Sequence, residues 1–72
     1  MSFLGEIRRL YKNLLDALHF AHICCRAAAR INDEIQASNA SDDLKTMAAA
    51  FLTSATELCD AIQAYKDDLP GN

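Results

Sequence analysis

The sequence predicts an all-α fold: an antiparallel two-helix hairpin that dimerises into a four-helix bundle. Three observations predict it. Small and apolar residues recur at spacings of three and four through both halves of the chain. A single cluster of turn-forming residues separates those halves. The chain has 72 residues, which allows one domain whose own core is modest.

The first helix is expected over about residues 3–36. Its seam is read as Ile7, Leu10, Leu14, Ala17, Ala21, Cys24, Ala28, Ile31 and Ile35, all small or apolar. Ser2 can cap its start, and Glu6 sets a negative charge near the positive end of the helix dipole. The run Ser38-Asn39-Ala40-Ser41-Asp42-Asp43 then breaks the pattern, so residues 37–41 are assigned to a turn. Ser41 is a good N-cap, and Asp42 and Asp43 supply the acidic first turn of a second helix over about residues 42–66. Its seam is read as Leu44, Ala48, Phe51, Ala55, Leu58, Ile62, Tyr65 and Leu69. Pro70-Gly71 cannot continue a helix, and residues 67–72 are expected to fray.

Two long helices joined so briefly must run antiparallel. A lone hairpin covers one stripe of each helix, yet Leu15, Phe20 and Ile23 lie outside the first seam, and Met47, Leu52 and Cys59 beside the second. These residues want a further apolar surface, which a second copy of the chain would supply. The plan, with Ala17, Ala21, Cys24 and Ala28 as small residues amid larger ones, is similar in architecture to the repressor-of-primer family of plasmid RNA-binding proteins. That resemblance is one of architecture and implies no particular site residues.

Composition narrows the function classes. Hydrophobic residues make up 51% of the chain and charged ones 24%, which excludes a disordered segment. A net charge of -3 argues against a generic binder of nucleic acid or anionic membrane. No uninterrupted apolar stretch is long enough to span a bilayer, no secretory leader is evident, and the three cysteines form no spaced framework. A cytoplasmic protein with free thiols is the expectation. Cys24 is placed on the seam and Cys25 at its margin.

Charge is unevenly distributed. Within residues 7–32, Arg8, Arg9, Lys12, Arg26 and Arg30 face only Asp16. Arg8, Lys12, His19, His22, Arg26 and Arg30 project within a sector of roughly 80° and extend over about 33 Å of the first helix. Leu15 interrupts this stripe and Asp33 ends it. The plain reading is a solvated outer face; the sharper one is a surface for an acidic partner, with Tyr11 beside it as an aromatic contact. On the second helix Glu57, Asp60 and Asp67 decorate an exposed face.

Other chemistries find little support. His19, His22 and Cys25 are spaced three apart, but each step drifts about 60° around the helix, so the outer two diverge by about 120° and no metal is expected. There is no phosphate-cradling glycine loop and no nucleophile with a base in a pocket-forming fold, so neither an enzyme nor a cofactor is expected. The expected function is a small non-catalytic protein-binding regulator, an inhibitor or adaptor of phage or plasmid type. It would be homodimeric and recognise an acidic partner protein through Arg8, Tyr11, Lys12, His19, His22, Arg26 and Arg30. The alternatives are an RNA- or DNA-binding regulator with a paired basic stripe and a structural subunit of a larger assembly.

Overall fold

The computed structural model describes residues 3–70. Helix α1 spans Phe3–Gln36 and helix α2 spans Asp42–Asp67, packed against each other in a hairpin 56 Å long and about as wide as two helices. The expected cap Ser2 lies outside the described residues, as do Gly71 and Asn72.

The turn is held by short-range polar contacts. Ser38 Oγ donates to the Ile35 carbonyl at 2.6 Å and accepts from the Ala40 amide, so the last turn of α1 closes onto a side chain. Ser41, extended at φ -62° and ψ 156°, accepts from the Leu44 amide at 3.2 Å and caps α2. Gln36 ties the two helices together, its Nε2 donating both to Asn32 one turn back and to the Lys45 carbonyl across the turn at 2.8 Å. At the far end the Asp68 amide closes α2 on the Ala64 and Tyr65 carbonyls, and Leu69 beyond it is half-buried.

The helices meet along two interleaved rows on each. On α1 these are Ile7, Leu14, Ala21, Ala28 and Ile35, with Tyr11, Leu18, Cys25 and Asn32 between them; every one is buried or half-buried. On α2 and just past its end they are Ala48, Ala55, Ile62 and Leu69, alternating with Lys45, Leu52, Cys59 and Lys66, again all buried or half-buried. Strict alternation of three and four is the heptad pattern of an antiparallel coiled coil. The core is thin: among the described residues only Leu18, Ala28, Ala48, Cys59 and Lys66 are buried, and no large side chain is fully enclosed.

This seam corrects the expected one by a row. Ile7, Leu14, Ala21, Ala28 and Ile35 face the partner helix as expected, but Ala17, Cys24 and Ile31 are exposed, and Leu10 is half-buried. Cys25, not Cys24, lies in the seam. On α2, Leu44, Phe51, Leu58 and Tyr65 are exposed where core positions were expected, and Leu52 and Cys59 occupy the seam instead. The physical reason is that apolar residues border the shared row on one side and smaller or mixed residues border it on the other. Both rows satisfy the same three-and-four spacing, and hydrophobicity alone selects the outward one.

Candidate functional site

Two faces of unlike chemistry follow from this register. The rows Phe3, Leu10, Ala17, Cys24, Ile31 and Leu44, Phe51, Leu58, Tyr65, exposed throughout except at half-buried Leu10, each precede a seam row by one residue. In an antiparallel pair, an offset of the same sense on both helices turns both rows to the same side of the hairpin. One broad side is therefore apolar and two helices wide. Phe51, Leu58 and Tyr65 are 49%, 57% and 58% exposed, and Phe20 and Met47 border the face at about 67% and 66%.

The opposite side is polar. From α1 it carries Arg8, Lys12, His19, His22 and Arg26, all exposed, while Arg30 sits further round on the outward ridge. The stripe is partly neutralised along the helix: Lys12 pairs with Asp16 at 3.7 Å and Arg30 with Glu34 at 3.5 Å, exposed contacts of about 0.3–0.5 kcal/mol each. Among the described residues Arg8 and Arg26 have no such ion pair. His19 meets Phe20 edge to face, with ring centroids 5.3 Å apart. The same side receives Thr53, Asp60 and Asp67 from α2, so cations of one helix and carboxylates of the other flank one shallow surface.

Tyr11, grouped with the stripe from the sequence, is half-buried in the seam, where the Lys66 ammonium lies 5.1 Å from its ring centroid. Lys66 is 7% exposed and bonds Asp67 at 3.1 Å. That hydrogen bond, with the Asp67 charge and the Tyr11 hydroxyl, raises its pKa against the opposing cost of burial.

Sequence reasoning also missed the seam thiols. Cys25 Sγ and Cys59 Sγ lie 3.3 Å apart across the helix interface, and the hydrogen bond between them, which holds Cys59 in its neutral form, together with burial pushes the Cys59 thiol up to about 11. The heptad row Lys45, Leu52, Cys59, Lys66 was the available signal, but its two lysines argued against burial. His19 and His22 remain on the surface, and no group of three or more metal-binding side chains converges among the described residues. No helix there is long and apolar enough to cross a membrane.

No family model, curated protein or solved structure matches the chain.

Proposed function

We propose that the protein is a small non-catalytic interaction module: two hairpins associate through their apolar faces into a four-helix bundle, whose polar faces recognise an acidic partner protein. One observation carries the reading. The more apolar of two possible rows on each helix is turned outward, while the row that takes its place in the hairpin seam includes Tyr11, Asn32, Lys45 and Lys66. Eight large side chains on and beside that face (Phe3, Phe20, Ile31, Leu44, Met47, Phe51, Leu58 and Tyr65) are substantially exposed. At on the order of 100 Å² each, they offer about the 800 Å² that each partner contributes to a stable interface. A second copy supplies a surface of the same length, width and character.

Self-association leaves the polar faces outward on both sides of the bundle, with Arg8 and Arg26 clear of the apolar rows. Their role would be that of a regulator or adaptor acting by charge and shape. Asp60 and Asp67 beside the cations favour an acidic protein, whose own lysines and arginines can pair with them, over a nucleic-acid backbone, which offers them no cation.

The test has two stages. Sedimentation equilibrium should give twice the chain mass at micromolar concentration; a monomer there overturns the bundle. Binding to an acidic peptide such as polyglutamate, measured against a short duplex RNA, should favour the peptide and fall several-fold in Arg8→Ala/Arg26→Ala. Stronger binding of the RNA, with a steep salt dependence, would replace the protein partner with a nucleic acid.

A further inference from the structure

We propose that Cys25 and Cys59 form a modification site: a pair of interhelical thiols that a low-molecular-weight disulfide converts into an intrachain cystine. The two residues are 34 positions apart in sequence and 3.3 Å apart at sulfur, already sharing an S–H hydrogen bond. A disulfide needs the sulfurs closer by a little over 1 Å, a movement within reach of side-chain rotation. The neighbouring seam favours it, because Ala21, Ala28 and Ala55 are small and leave the helices free to approach.

Access is one-sided in a useful way. Cys59 is buried, whereas Cys25 is half-buried and belongs to the seam row nearer the polar face. The site therefore stays open when the apolar face is covered. His22 and Arg26 are exposed on that side, one turn before and one residue after Cys25, and the Arg26 cation attracts an anionic reagent such as glutathione disulfide. Cys24, though exposed, points about 100° away from Cys25, toward the apolar face.

The chemistry balances in two exchanges. The Cys25 thiolate attacks one sulfur of the small disulfide, forming a mixed disulfide and releasing one small thiol. Cys59 then gives up its proton and attacks the Cys25 sulfur, expelling the second small thiol, which carries that proton away. Two protein thiols are oxidised and one small disulfide is reduced to two thiols. The product staples the middle of a thin seam and closes the connecting segment as a covalent loop.

The experiment uses Cys24→Ser, which removes the exposed thiol and leaves the pair. The folded, helical protein is exposed to glutathione disulfide, alkylated, and analysed by peptide mapping and by thermal unfolding. The expected result is a Cys25–Cys59 linkage within one chain, loss of two hydrogens and no retained glutathione. The unfolding midpoint should rise by roughly 10–25 °C and return on treatment with dithiothreitol. A lasting glutathione adduct on Cys25, two alkylated thiols, or linkage only between chains would overturn the proposal. Cys25→Ser and Cys59→Ser serve as checks on the linkage assignment, so a variant that fails to fold leaves the result intact.

Discussion

The Lys66 ammonium lies 5.1 Å from the centroid of the Tyr11 ring, and both residues occupy seam positions where a coiled coil ordinarily places aliphatic side chains. The long Lys66 stem fills the groove while its head reaches the ring on one side and Asp67 on the other. Lys66→Met keeps the stem and should retain the fold. Lys66→Glu brings a carboxylate against the ring face and Asp67, and should lower the unfolding midpoint clearly further. Parallel thermal scans by circular dichroism compare the two; equal midpoints would show that the charge is irrelevant to the seam.

Both perturbed groups predict an alkaline weakness. Cys59 titrates near 11 in the fold against 9.0 for an ordinary thiol, chiefly because it bonds Cys25 and is buried, so folding favours its neutral form. Lys66 is raised above 10.5, chiefly by Asp67, so folding favours its charged form. Each contribution is complete below the unfolded-state value and is lost as pH climbs through the folded one. Urea midpoints should therefore hold steady up to about pH 9 and fall toward pH 11. Cys59→Ala should flatten the first part of that fall. A parent profile level across the whole range would remove both groups from the stability balance.

How much of this was legible in the sequence is clearest from the two rows. Ser41, Asp42 and the cluster around Ser38 mark the turn and the start of α2 unambiguously, because their chemistry is local. Ala21, Ala28, Ala48 and Ala55 also declare the shared row. The choice between Cys24 and Cys25, or between Phe51 and Leu52, is not local. It depends on which side of the shared row meets the other helix and which meets solvent or a partner, and one chain's periodicity carries no term for a second chain. The polar stripe was readable as exposed residues. That Tyr11 leaves it to cover Lys66 was not, since the pairing depends on the interhelical register.

The cap offers a smaller test. Ser41 accepts from the Leu44 amide at 3.2 Å, one of the few side-chain contacts anchoring α2 at the turn. Ser41→Ala should cost about 1 kcal/mol, and Ser41→Asp should recover it, since a carboxylate caps the same amide and suits the helix dipole. Urea denaturation of the three proteins separates the effects. An alanine variant as stable as the parent would mean that the Asp42 and Asp43 charges suffice to start the helix.

The strongest contrast lies between Leu18 and Leu58, residues of one type on opposite sides of the register. Leu18 is 8% exposed in the seam, and Leu58 is 57% exposed on the apolar face. Within a single hairpin, Leu18→Ala opens a cavity and should cost about 2–4 kcal/mol, a large share of what so thin a core can supply. Leu58→Ser removes little from that hairpin, because its side chain is already in water. If two copies meet through the apolar face, the ranking changes with concentration: the parent unfolds at higher temperature as concentration rises, while Leu58→Ser with Phe51→Ser loses that dependence and sediments as a monomer. Leu18→Ala should lower the midpoint at every concentration and keep the dependence. A double serine variant that still sediments as a dimer would move the self-association surface away from the Phe51 and Leu58 row.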